Sequence, residues 1–92
     1  MLAIKTETAP TLVAGAFDIV FGQFEKVLAA TVSFDNPAAN DMVFATDISL
    51  SDNTVTVTVK KIDVTGTTPV AWAAAVTTDV AAMVFTIVAE GE

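Results

Sequence analysis

The sequence predicts an all-β fold, a single-domain antiparallel β-sandwich or small barrel of about seven strands. Three observations carry this expectation. Fourteen valines, fourteen threonines and five isoleucines make the chain strongly β-branched, which suits pleated, half-buried surfaces and disfavours helices. Thr54 to Val59 reads Thr-Val-Thr-Val-Thr-Val, so that Val55, Val57 and Val59 share one face and the threonines the other. Turn residues recur at intervals of roughly 8 to 12 residues, the spacing of short strands in a sandwich or barrel.

Taken in order, Met1 to Pro10 reads as an N-terminal tail. Phe17, Ile19 and Phe21 alternate before Gly22 and Gln23, and Phe24 to Phe34 returns. That predicts a hairpin whose glycine, at the first central position, suits a type II′ turn. Asp35, Asn36 and Pro37 end the returning strand. A second hairpin runs from about Val43 to Val64, turning at Ser51, Asp52 and Asn53, whose short polar side chains favour tight turns. Within it the apolar phase moves from odd positions (Val55, Val57, Val59) to even ones (Ile62, Val64) across Lys60 and Lys61. One extra residue at a β-bulge would return both sets to one face.

Gly66 to Pro69 closes that strand, and Val70, Trp72, Ala74 and Val76 then alternate with alanines. A strand is expected there, with a helix as the alternative because alanine favours one. Thr77, Thr78 and Asp79 separate it from an apolar final strand, Val84 to Val88, and Glu90 to Glu92 forms a short C-terminal tail. Residues 1–92 are enough for one core and too few for two.

Composition narrows the function classes. Charged residues make up 16% of the chain, apolar residues 53%, and the mean hydropathy is +0.65. So small a domain has a large surface relative to its volume, and burial of that apolar material against partners is the favourable solution. The net charge is −7, with lysines at 5, 26, 60 and 61 and no arginine, so neither nucleic acid nor an anionic membrane is an expected partner. The apolar stretch from Pro69 to Ala89 contains Thr77, Thr78 and Asp79 near its middle, where a carboxylate would be costly in a bilayer. Lys5 leads into Thr6, Glu7 and Thr8 rather than a long apolar run, so secretion is not expected.

Catalysis has few tools here. Histidine, cysteine and tyrosine are all absent, which removes the usual general acids, bases and thiol nucleophiles. Paired carboxylates remain, but Asp18, Asp35, Asp47 and Asp63 sit in no motif and read as surface acids. Asp35 with Asn36, Asn40 with Asp41, and Asp52 with Asn53 carry oxygen ligands of the kind calcium takes, yet each stands where a turn wants it and lacks the spaced calcium-loop pattern. No metal, no cofactor and no enzymatic activity are expected. Among the aromatics, at least five of the six phenylalanines are expected in the core. Trp72, on a strand otherwise lined by alanine, is the candidate interface residue.

The order Gly15-Ala-Phe-Asp-Ile-Val-Phe-Gly-Gln-Phe-Glu-Lys-Val-Leu, then Ser51-Asp-Asn-Thr-Val-Thr-Val-Thr-Val, then Val84-Phe-Thr-Ile-Val-Ala-Glu-Gly-Glu resembles small all-β structural proteins of tailed bacteriophages, most of all the capsid decoration, or cement, proteins. The resemblance spans most of the chain and consists of strand pattern and turn residues. It implies a non-enzymatic virion protein, made in the host cytoplasm, that binds the major capsid protein on the outer surface of the shell and stabilises it, often as a trimer. A phage tail or fibre module, or a carbohydrate-binding β-sandwich recognising a host surface, is the alternative. A flat apolar face would favour assembly, and a cleft lined by Trp72 and acids would favour sugar binding.

Overall fold

The computed structural model describes residues 1–35, 42–63 and 71–92. Strands dominate, as the β-branched content requires: β1 (Leu2–Thr8), β2 (Ala16–Val20), β3 (Val27–Asp35), β4 (Met42–Ser51), β5 (Thr54–Asp63), β6 (Ala73–Ala74) and β7 (Val84–Gly91), with a 3₁₀ turn at Thr77–Val80. They form two antiparallel sheets. One has the order β1-β7-β3; in the other β5 lies between β4 and β2, and β6 continues along the β2 side. The protein is thus an all-β, two-sheet sandwich.

The β4–β5 hairpin forms as the alternation predicts, with Asp52 and Asn53 between paired Ser51 and Thr54. Asp52 takes a left-handed backbone, φ 52°, which its short polar side chain tolerates better than most. The ladder then runs from Ser51↔Thr54 to Met42↔Asp63 without a register shift. The bulge expected at Lys60 and Lys61 is therefore absent. Regular pleating keeps Lys61 in phase with buried Val55, Val57 and Val59 and puts Ile62 in the opposite phase. Val64 lies outside the described residues. Lys61 meets its inward position by pairing with Asp79: Nζ to Oδ2 is 2.6 Å, and the Asp79 side chain is only 8% exposed. The same oxygen accepts the Val76 N–H at 2.9 Å, holding the start of the 3₁₀ turn.

A bulge does occur, in β3. Val27 pairs with Gly91 and Ala29 with Glu90, leaving Leu28 as the extra residue. The inward phase moves from Val27 to Ala30, Val32 and Phe34, which is the correction a bulge makes.

The hairpin expected between Phe17 and Phe34 is also absent. β2 pairs with β5 and β3 with β7, so Phe21 to Phe24 crosses from one sheet to the other. Phe24 N–H donates to the Phe21 carbonyl at 3.0 Å, and Gly22 lacks the positive φ that a type II′ turn needs there. Both phenylalanines are buried and stack, with centroids 6.0 Å apart. A two-residue turn with positive φ stands elsewhere, at Ala14 (φ 51°) and Gly15 (φ 80°). Val13 and Ala16 exchange N–H···O bonds of 2.9 and 3.0 Å across it, as in a type I′ turn.

The two ends are strands rather than tails. β1 pairs along β7 from Leu2↔Glu90 to Thr8↔Val84. Gly91 N–H donates to the Met1 carbonyl at 3.0 Å, and the Glu92 carbonyl accepts from Glu25 and Lys26 at 2.7 and 3.2 Å. The termini hold each other and need no neighbouring subunit for order. Among the described residues of the Val70 to Val76 segment, the strand is Ala73–Ala74, paired with Lys61 and Lys60; Val70 lies outside the described residues.

Five of the six phenylalanines are buried, as expected. Four rings tie the sheets together: Phe17 on β2 lies 5.1 Å from Phe85 on β7, Phe85 lies 5.9 Å from Phe34 on β3, and Phe34 lies 6.5 Å from Phe44 on β4. Such tilted and edge contacts add about 0.5 to 1.5 kcal/mol each beyond the area they bury.

Two predictions follow from this packing. A Cβ on Gly91 would stand 2.5 Å from the Phe24 ring and 2.8 Å from the Lys26 carbonyl, whereas one on Gly22 would meet nothing within 4 Å. Gly91→Ala should therefore cost about 1 to 3 kcal/mol by overpacking, and Gly22→Ala should be neutral or slightly stabilising; urea denaturation of both variants measures the difference. By the same measurement Asp79→Ala should cost about 2 to 4 kcal/mol, because it strands Lys61 and the Val76 N–H together. Lys61→Met should also destabilise, because it leaves the Asp79 carboxylate, only 8% exposed, with the Val76 N–H but without its cation.

Candidate binding surface

The outer faces of the two sheets differ in chemistry. On the four-stranded sheet the outward rows are Val20/Thr54/Ser51, Asp18/Thr56/Ser49, Ala16/Thr58/Asp47, Ala45/Lys60/Ala74 and Val43/Ile62. Hydroxyls and charges dominate the middle rows, with Thr56 donating to Asp18 at 2.7 Å and Lys60 paired with Asp47 at 3.4 Å, whereas half-exposed Val43 beside Ile62 makes the far end apolar. On the three-stranded sheet the rows are Leu2/Glu90/Ala29, Ile4/Val88/Thr31, Thr6/Thr86/Ser33 and Thr8/Val84/Asp35. Its first two rows are mainly apolar: Leu2 is 70% and Ile4 66% exposed. A shallow depression of about 160 Å³ lies among Leu2, Ala29, Thr31, Val88 and Glu90. Met1 and Leu28, both exposed, extend the apolar character at that end.

Strand β1 presents this face and also guards its own edge. Its inward phase, set by its partners Ala89, Ile87 and Phe85, falls on Ala3, Lys5 and Glu7. Charged residues in inward positions are a known protection of edge strands against pairing with other chains. Lys5 goes further: its Nζ donates to the Val20 carbonyl on β2 at 2.6 Å and lies 5.5 Å from the Phe21 ring centroid. It thus spans from the edge of one sheet to the edge of the other.

A cleft of about 490 Å³ lies where β1 gives way to β2, lined by Glu7, Pro10, Val13, Phe17 and Asp18 among others. Asp18 there is hydrogen-bonded to Thr56, and Phe17 is buried, so the cleft offers two acids and no exposed aromatic ring. Trp72 is not among its lining residues. Trp72 is 48% exposed on the segment entering β6, apart from both the cleft and the depression.

Of the acids considered for calcium, Asp52 and Asn53 form the β4–β5 turn and Asp35 ends β3, while Asn36, Asn40 and Asp41 lie outside the described residues. No group of three or more carboxylates among the described residues could hold a metal ion. No described helix is long and apolar enough to cross a membrane. Comparison with protein-family models, curated proteins and solved structures finds no match for this chain.

Because Ile4 faces outward and packs on little of its own chain, Ile4→Thr should change folding stability by no more than about 0.5 kcal/mol. The same substitution should reduce binding of an apolar dye such as ANS to the folded protein; unchanged dye binding would place the exposed apolar surface elsewhere.

Proposed function

We propose that this chain is a non-enzymatic structural protein of a tailed-bacteriophage virion, a decoration or cement protein that binds the outer surface of the major capsid protein. The observation that supports this best is the exposed apolar patch around Leu2, Ile4 and Val88 at one end of the outer face of the three-stranded sheet. A flat apolar face beside a guarded edge suits docking onto a broad protein surface. Sugar recognition would draw support from the cleft near Glu7 and Asp18, but stacking of a sugar ring calls for an exposed aromatic there.

The size of the face bears on how it would bind. The two apolar rows, about four residues along three strands at ~4.8 Å spacing and ~3.4 Å per residue, span roughly 200 Å² in plan. That is somewhat below the largest apolar patch of a typical monomer. It is less than half of the ~800 Å² per partner in a standard stable interface. One copy would bind weakly, and several joined copies would hold through combined attachment.

Cosedimentation with empty shells assembled from the major capsid protein of the same virion tests the proposal. Wild-type protein should pellet with shells at both 0.1 and 1 M salt (approximate concentrations), since apolar burial is spared where charge pairs are screened. Ile4→Glu should stay in the supernatant while folding normally. Wild-type protein that never pellets with shells overturns the proposal.

A further inference from the structure

We propose that β1 is an exchangeable strand: in the associated protein, Leu2–Thr8 of one copy pairs with β7 of a second copy, and Ala9 is the hinge. The inference concerns this chain's contact with itself and holds whatever the assembled protein binds.

Three observations lead there. First, β1 is joined to the fold by its ladder and by the Lys5 bond to the Val20 carbonyl, with little apolar burial of its side chains. The buried core holds no residue from positions 1–9, and Ala3 alone of them packs partly against it. β7 is the reverse, with Phe85, Ile87 and Ala89 all fully buried. Without its own β1 the protein would keep its core and expose the β7 edge, an open template for an identical strand.

Second, the chain is strained where β1 leaves the sheet. Ala9 has φ 48°, in the left-handed region that an L-residue with a Cβ disfavours. It also precedes Pro10, whose ring pushes the preceding residue toward an extended backbone. Pro10 is fully buried, so the point of anchorage lies directly after the strained residue. If Ala9 relaxes to an extended conformation, the chain straightens between Thr8 and Pro10 and carries β1 away from its own β7.

Third, exchange reproduces every contact of β1. The ladder to β7, the Lys5 bond to the Val20 carbonyl and the outward Leu2 and Ile4 would all re-form between copies, which leaves the hinge as the main difference. The inward Lys5 and Glu7 disfavour a foreign strand added to the outside of β1. They fit a strand that takes β1's own place.

The chain has no cysteine, which makes the test clean. Thr6 and Thr86 are register partners on the outer face, so Thr6→Cys with Thr86→Cys reports which chain β1 pairs with. After association at high protein concentration and oxidation, denaturing gels without reductant should show covalent dimers and larger species. Adding Ala9→Gly, which accepts positive φ freely, should shift the ratio toward the intrachain link by about tenfold. Three results would overturn the inference: an intrachain link alone at concentrations where sedimentation shows association, a monomer at every concentration, or equal covalent dimers from Thr6→Cys alone. A ratio unmoved by Ala9→Gly removes the hinge and the inference with it. None of these outcomes involves shells, so failure here is separate from failure of the capsid proposal.

Discussion

The unbroken ladder between β4 and β5 is the constraint from which much of the structure follows. Ten register pairs without a shift place Val55, Val57 and Val59 in the core and oblige Lys61 to take the next inward position. A lysine there needs a carboxylate, because a charge taken from water without a partner is costly. Asp79 supplies it from a distant part of the chain, and in doing so binds the Val76 N–H. The 3₁₀ turn that follows buries Val80, and beyond it buried Met83 accepts the Ala9 N–H. One strand's regularity thus reaches through an ion pair to the entry of β7.

β7 then organises the other sheet. It lies between β1 and β3, buries Phe85, Ile87 and Ala89, and brings both chain ends together at Met1, Gly91 and Glu92. Gly91 is tight against the Phe24 ring, so the crossover between the sheets packs onto the last strand. The apolar outer face is a by-product of this arrangement. The buried phase of β7 fixes its outward phase, and β1 and β3 bring Leu2, Ile4 and Ala29 alongside Val88 and Glu90.

What was legible in the sequence was local. The alternation of Thr54 to Val59 and the Asp52-Asn53 turn specify β4–β5, because neighbouring strands, short polar turn residues and a clear period of two all agree. The Phe17 to Phe34 hairpin failed because alternation gives the face of each strand and not its partner. Phe21, Gly22 and Phe24 look like a turn, but burial of both rings makes them a corner between sheets. The bulge rule was sound and its place was wrong: alanines at 29 and 30 hide the phase change in β3, while Lys61 imitates one in β5. The candidate surface was harder to read. Leu2 and Ile4 alternate with Lys5 and Glu7, and the usual assignment turns the apolar set inward. Here β1's pairing with β7 reverses it. Trp72 stands out by composition, and it is half-exposed on the segment entering β6, apart from the apolar rows of the three-stranded sheet.

The distribution of charge complements this. Lys5 is bound to a carbonyl, Lys60 to Asp47 and Lys61 to Asp79, so three of the four lysines are engaged within the chain. The excess of acids that gives the net charge of −7 therefore acts mainly as a diffuse repulsion between copies. That repulsion extends about a Debye length, ~8 to 10 Å at physiological salt. Such repulsion is greatest at contact, is negligible beyond that distance, and weakens as salt is added. Glu90 is the acid within the apolar rows, beside Leu2 and Ala29. A partner surface that covers this face must meet Glu90 with a donor or leave it at a wet rim, because a carboxylate buried without a partner would cancel much of what the surrounding apolar contacts contribute. A partner of the kind proposed would thus carry a polar or basic group opposite Glu90 or leave that exposed carboxylate at the rim of the contact.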